Sequence, residues 1–259
     1  MRNVKIILEY DGTEYRGWQI QPEGQTIQGL LTEILSRLDH RPVTIHGASR
    51  TDAGVHACGQ VANFFLHREM AEGDLLRALN ANLPPDVRVK HVEFVPADFH
   101  ARYQALSKTY RYRIYCGPVV SPFLHRYVHH LVVPVELEPM EKAAQVLLGE
   151  HDFSAFSTRE RPGRSRIRRV LAVKLWRRQE MITFEITANG FLRYMVRTIM
   201  GTLCEIGRGK RPVEDMAYLL QARDRRLAGP TLPAKGLTLI RVDYGETGPP
   251  GGESELSVT

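Results

Sequence analysis

The chain has 259 residues, 43% of them hydrophobic, and a formal charge of +6. That length can bury one large core or two smaller ones, and no apolar run is long enough to cross a bilayer. The three cysteines (Cys58, Cys116 and Cys204) are far apart with no CxxC pair, which argues against a disulfide framework and a zinc site and fits a reducing cytoplasm. No signal or transit segment is read at the start. Of the 35 basic residues, 28 are Arg and 7 are Lys. Arg suits phosphates and stacks on bases, although a GC-rich genome gives the same bias.

In chain order, Val4 to Tyr10 reads as a strand closed by Asp11-Gly12. Ile27, Leu30, Leu31, Ile34, Leu35 and Leu38 follow helical spacing, with Thr26 as N-cap. A short strand at Val43 to Ile45, a polar loop and a strand at Gln60 to Leu66 come next. Asp74 is read as the cap of a helix carrying Leu75, Leu76, Leu79 and Leu83, which Pro84-Pro85 ends. Val87 to Val95 reads as a strand. The order is β-α-β-β-α-β.

The second half repeats this order. Lys108 to Cys116 is a strand with Tyr110, Tyr112 and Ile114 on one face, followed by an added strand near Tyr127 to Val133. Pro139 opens a helix closed by Gly149. Val170 to Trp176 and Ile182 to Ala188 form a hairpin. A helix with Leu192, Met195, Val196, Ile199, Leu203 and Ile206 on its core stripe follows Asn189-Gly190. A short helix at Pro212 to Ala222 precedes a final strand at Leu237 to Tyr244. The expected fold is α+β: two tandem split-βαβ units, ferredoxin- or RRM-like, whose antiparallel sheets form a central basic cleft. The expected domains are 1–104, 105–245 and a disordered tail, 246–259.

The loop Gly47-Ala-Ser-Arg-Thr-Asp-Ala-Gly-Val-His-Ala57 concentrates Arg50, Thr51, Asp52 and His56 between two strands. It can be a turn with a capping Asp, or a rigidly held loop that carries chemistry. Asp52 and His56 alone do not make a metal site, since no third ligand stands at sensible spacing. Arg159 to Arg169 holds six arginines and one acid, with Pro162 and Gly163 preventing a regular helix. This loop either is solvated or meets a polyanion, with Arg164, Arg166, Arg168 and Arg169 as the phosphate contacts. Arg197 lies beside the apolar stripe of its helix, on the same face as Arg193. It either snorkels to solvent or points into the cleft, where it would hold a carboxylate ionised. Tyr110 sits in an aromatic–basic alternation, Ser107 to Tyr112, that suits either a core or base stacking.

SRTDAGVHA resembles the catalytic motif of the tRNA pseudouridine synthase A family. FLRYMVRTIMG is similar to the family helix whose arginine pairs with the catalytic Asp. Tyr10 to Gln19 with Thr26-Ile-Gln28 resembles the family's first motif, and Lys235 to Leu239 its last, with Leu237 at the substrate. Ser49 stands where Gly is also common in relatives. The resemblance implies a cofactor-free and metal-free isomerase acting on uridines 38, 39 and/or 40 of the tRNA anticodon arm. Asp52 would be the nucleophile or base, Arg197 its partner, Arg50 the residue entering the space of the flipped base, and Tyr110 the ring stacked on uracil. It also implies a cytoplasmic homodimer that shares one tRNA, with no membrane and no small-molecule cofactor. A non-catalytic RNA-binding protein would keep Tyr110 and the basic charge but would not need Asp52 with Arg197. A metal-dependent nuclease would need a ligand cluster that is not seen in the sequence.

Tritium release from C5-labelled tRNA should therefore be unchanged after exhaustive EDTA dialysis, with the tRNA kept folded by monovalent salt. A loss restored by zinc or magnesium would point back to metal chemistry.

Overall fold

The structure is a computed structural model that describes residues 1–158 and 165–245. It contains two compact units. One is Met1–Leu106 together with the chain from Leu239 onward, and the other is Ser107–Thr238.

The first unit contains β1 (Arg2–Tyr10), α1 (Ile27–Asp39), β2 (Ile45–Gly47), β3 (His56–Leu66), α2 (Glu72–Asn82) and β4 (Val87–Val95). β1 lies between β3 and β4, antiparallel to both, and β2 pairs with the far end of β3, Ile45 opposite Phe64. Val4, Ile6 and Leu8 are fully buried on one face of β1. With Ile27, Leu31, Ile34 and Leu35 of α1 and Leu75 and Leu79 of α2, they supply the apolar set that the helical and strand periodicities predict. The Thr26 side chain accepts from the Gly29 amide at 3.2 Å, as a capping residue should. Asp74 does not cap α2. The helix begins earlier, with Ala71 at its N-cap, and Asp74 lies in the first turn beside Arg77, where its charge suits the helix dipole.

The opposite face of this sheet is covered by its own chain. Phe99, Val242 and Tyr244 pack with Ile7 on the buried trio Ala48, Val61 and Ala101. Two asparagines satisfy the backbone that crosses here. Asn3 donates to the carbonyls of Pro96 (2.9 Å) and Phe99 (2.8 Å), and Asn63 accepts from the Ala101 amide (2.9 Å) and donates to Asn3 (3.0 Å). Lys5, 5% exposed, pairs with Glu93 at 2.8 Å and lies 5.8 Å from the rings of both Phe99 and Tyr244.

The second unit contains β5 (Ser107–Tyr115), β6 (His129–His130), α3 (Leu137–Gln145), β7 (Gly149–Asp152), β8 (Ile167–Arg178), β9 (Met181–Ala188), α4 (Met195–Gly207) and α5 (Asp215–Ala222). Its strands run in the order β5-β9-β8-β7 with antiparallel neighbours, and β6 pairs in parallel with β5. The fold is thus α+β with a mixed sheet. Tyr112, Ile114, Phe184 and Ile186 are fully buried along β5 and β9.

Several expectations change in this half. α3 starts at Leu137 rather than at Pro139 and ends at Gln145, so Gly149 opens β7 instead of closing the helix, and α5 starts at Asp215 rather than Pro212. The added strand is only two residues long. β8 starts at Ile167 because β7 offers it a partner, so Arg168 and Arg169 are strand residues opposite His151 and Glu150, not loop residues. α4 starts at Met195, because Tyr194 takes a left-handed conformation (φ 65°) that ends any helical run from Leu192. Arg193 therefore precedes the helix and shares no helical face with Arg197. Chain order assigns the last strand, β10 (Leu237–Asp243), to the second half, yet it lies beside β3, and its residues from Leu239 belong to the first unit. Arg164 and the tail 246–259 lie outside the described residues.

Thr26→Ala should lower unfolding stability by about 1 kcal/mol through loss of the α1 cap. The check is a urea midpoint shift at unchanged m-value.

Candidate active site

The loop from β2 to β3 presents Asp52 half-buried, Arg50 exposed and Thr51 buried. Its backbone is tied to the Tyr10–Trp18 segment of the chain. The Trp18 amide donates to the Thr51 carbonyl (3.1 Å) and the Gly54 amide to the Tyr15 carbonyl (3.2 Å). A tight turn closes on Asp52 itself, where the Val55 amide donates to the Asp52 carbonyl at 3.1 Å. Two glycines make this approach possible. A Cβ on Gly17 would lie 2.5 Å from the Thr51 carbonyl oxygen, at a φ of +88° that L residues rarely adopt, and one on Gly12 would collide with the Val55 carbonyl. Tyr10 to Trp18 thus forms the bed on which the Asp52 loop rests.

Side chains from β1 and β3 fix the same loop from inside. Gln60 is fully buried. Its Nε2 donates to the Ser49 carbonyl at 2.7 Å, and its Oε1 accepts from the Ser49 amide at 3.1 Å. The Tyr10 hydroxyl lies 2.8 Å from Thr51 Oγ1. Burial pushes the Tyr10 phenol up to about 12, against the smaller effect of its hydrogen bonds to Thr51 and Gln60, so it remains protonated at neutral pH. The backbone on either side of Arg50, at Ser49 and Thr51, is therefore held in place.

His56 is turned inward. Its Nδ1 accepts from the Gly12 amide at 3.1 Å and lies 3.1 Å from Asp11 Oδ1. A single ring nitrogen cannot accept from one and donate to the other at once, so the tautomer selects the partner. Either way this nitrogen is engaged with the Asp11–Gly12 turn. Among the described residues, no group of three or more His, Cys, Asp or Glu side chains could hold a metal ion.

The second unit carries Tyr110, Arg197 and Leu237. Tyr110 on β5 is 5% exposed and meets Phe191 edge to face, with centroids 5.0 Å apart. Tyr112, two residues along, is a core residue. It is fully buried, donates its hydroxyl to the Pro233 carbonyl at 2.7 Å, and its phenol is pushed up by burial. Arg197 on α4 donates Nε to the Leu232 carbonyl at 2.7 Å, and the Leu232 amide returns a bond to the Arg197 carbonyl at 3.3 Å. The segment holding Leu232 is itself pinned. Arg225 donates to the Gly229 carbonyl (3.0 Å) and to Thr231 Oγ1 (2.9 Å), and Thr202 Oγ1 accepts from the Gly229 amide (3.0 Å). Leu237, 6% exposed, opens β10 just after a 3₁₀ turn. Of the arginine cluster, Arg169 is exposed, Arg166 is half-buried, and Arg168 donates back to the carbonyls of Ser165 (2.9 Å) and Ile167 (2.6 Å).

Comparison with known proteins decides the family. The family described as tRNA pseudouridine synthase matches residues 6–104 and 143–245. The chain is 43% identical over 244 residues to tRNA pseudouridine synthase A of Acetivibrio thermocellus, covering 94% of this chain and all of that one. It is 43% identical over 241 residues to the enzyme of that name from Klebsiella pneumoniae, covering 93% of this chain and 89% of that one. It is 41% identical over 251 residues to tRNA pseudouridine synthase A 1 of Desulfotalea psychrophila, covering 94% of this chain and all of that one.

The chain belongs to the tRNA pseudouridine synthase family.

It is therefore an isomerase of the tRNA pseudouridine synthase A type. The first matched segment contains Arg50, Asp52 and the bed beneath them. The second contains Arg197 and Leu237, and Tyr110 falls between the two segments. The sequence reading missed the supports of the synthase loop, above all Gln60 and Tyr10. Gln60 left one weak sign, a polar amide heading a mostly apolar strand that also holds Asn63, whereas Tyr10 looks like any strand tyrosine.

Replacing Gln60 by Leu keeps its bulk but removes both of its hydrogen bonds to the Ser49 backbone, a loss of about 1 to 3 kcal/mol in all. Gln60→Leu should lose stability in that range and lose turnover more than tRNA affinity. Urea unfolding with parallel single-turnover and binding assays checks this. Wild-type turnover would show that the Asp52 loop holds its shape without the amide.

Proposed function

We propose that this protein converts uridine to pseudouridine at positions 38, 39 and/or 40 of the tRNA anticodon stem-loop, without a metal or cofactor. The observation that carries this reading is the loop of Asp52, a carboxylate on a backbone fixed by buried hydrogen bonds, in a segment whose sequence resembles the family's catalytic motif. The reaction breaks the N1–C1′ bond of uridine, turns the base and rejoins it through C5. The C5 proton is lost and N1 gains one, so atoms and electrons balance with no external reactant. A stacked uridine must first be flipped out, at a cost of a few kcal/mol.

In this reading Arg50, exposed beside Asp52, enters the space the base leaves. Asp52 attacks the sugar or the base, or removes the proton at C2′. Arg197 pairs with Asp52 and keeps it ionised. The fixed attachment of Arg197 to Leu232 supports such a positioned charge. Tyr110 stacks on the uracil and relays the C5 proton, and Leu237 packs at the substrate. Arg164, Arg166, Arg168 and Arg169 contact phosphates. The two split-βαβ units form a basic cleft for the tRNA, and the protein works in the cytoplasm as a homodimer sharing one tRNA. The β4-β1-β3 order with β2 on β3 supports the first of those units.

Asp52→Asn should abolish tritium release from C5-labelled tRNA while leaving tRNA affinity nearly unchanged. Release within about tenfold of wild type, a loss of only about 1.4 kcal/mol, would remove Asp52 from the chemistry.

A further inference from the structure

Tyr194 combines two features that neither the sequence motifs nor the family match explains. Its backbone is left-handed, with φ 65° and ψ 3°, immediately ahead of α4. L residues other than Asn, Asp and Gly avoid this region, and where they persist there the surroundings must hold them. Its ring also carries two cations. The guanidinium carbon of Arg197 lies 5.0 Å from the ring centroid and that of Arg193 lies 4.8 Å from it, both within the range of cation–π attraction. Arg193 also donates to the Tyr194 hydroxyl at 2.9 Å.

We infer that Tyr194 is a positioning residue for Arg197, its ring setting the direction of the guanidinium. The inference rests on the reading above in which Arg197 acts on Asp52. Arg is a long side chain with many rotamers, and a charge that must address one carboxylate loses its value if it wanders. Three constraints act on this one. Its Cα is fixed by α4, its Nε donates to Leu232, and its guanidinium carbon lies over the Tyr194 ring. The Nε bond fixes one edge of the fork but leaves the plane free to turn about it, and the ring limits that turn. The two Nη groups are then the part of the fork that can address an anion. A helical residue at 194 would direct its side chain along the first turn of α4, so the left-handed backbone and the ring–guanidinium contact belong to one arrangement.

The backbone and ring roles make opposite predictions. Asn and Gly accept the left-handed conformation at least as well as Tyr but have no ring, whereas Phe keeps the ring and loses only the hydroxyl bond to Arg193. We would make Tyr194→Asn, Tyr194→Gly and Tyr194→Phe, plus Tyr194→Asn in an Arg197→Met background. For each, the single-turnover rate at saturating tRNA, the tRNA Kd and the melting temperature would be measured. The expected result is a rate about tenfold lower for Asn and Gly with Kd and melting temperature near wild type, a rate within about twofold for Phe, and no further loss when Asn is added to Arg197→Met. Wild-type rates for Asn or Gly would show that the position serves only the backbone turn. A Phe variant as slow as Asn would assign the effect to the hydroxyl and Arg193. An additive loss in the Arg197→Met background would show that the ring acts through another group. A wild-type rate for Arg197→Met alone would place the failure in the role given to Arg197, and the positioning role of Tyr194 would fall with it.

Discussion

Gln60 does for Ser49 what a neighbouring strand would otherwise do. Its side-chain amide presents an N–H and a carbonyl oxygen to the carbonyl and amide of a single residue, as a peptide group would. Ser49 leads into the loop that leaves the β2–β3 ladder, and Gln60 meets both its backbone amide and its carbonyl there. A peptide group in that position must find partners or move to water. The Gln60 clamp lets the loop stay buried at its root, at Ser49 and Thr51, next to the exposed Arg50 and the half-buried Asp52. Thr51 is held from the other side by Tyr10, and the bed formed by Gly12 to Trp18 fills the space beneath.

The second unit solves the corresponding problem for a cation. Arg197 is a residue of a buried helix face, and its Nε needs an acceptor near α4. The segment after α5 supplies the Leu232 carbonyl, and Arg225, Thr198, Thr202 and Thr231 hold that segment against the helix. In both units the backbone that positions the group proposed for chemistry is bonded in turn by side chains around it. Hydrogen bonds of this kind gain little net stability individually but are costly to leave unmade, so they select one arrangement of the site.

Much of the regular structure is legible in the sequence because it follows from local patterns. Thr26 caps α1, β4 runs from Val87 to Val95 as its alternation predicts, and the β8–β9 hairpin follows its apolar stretches. The failures come where a partner distant in sequence decides the outcome. Gly149 to Asp152 has no strand pattern and becomes β7 only because β8 pairs with it, which also draws Arg168 and Arg169 out of the arginine-rich loop. The apolar spacing around Leu192 suggests helix, but Tyr194 interrupts it with a backbone conformation that no tyrosine advertises. Asp52 is visible through the family motif, whereas Gln60, whose role is made by contacts eleven and fifty residues away, is not. Residues that do chemistry leave a sequence signature, while the residues that aim them are defined by three-dimensional neighbours.

The ion pair of buried Lys5 with half-buried Glu93 has a consequence for how the first sheet assembles. The two residues face each other directly across β1 and β4. Replacing such a pair by apolar side chains is often neutral or favourable, so its contribution to overall stability is small. A slip of β4 by one residue is another matter, because it would turn Glu93 to the other face and leave the Lys5 ammonium between the Phe99 and Tyr244 rings with no counter-charge. The same slip would turn the buried Val87, Val89 and Val92 of β4 away from the core, so the ion pair and the apolar face select one alignment of the strand together.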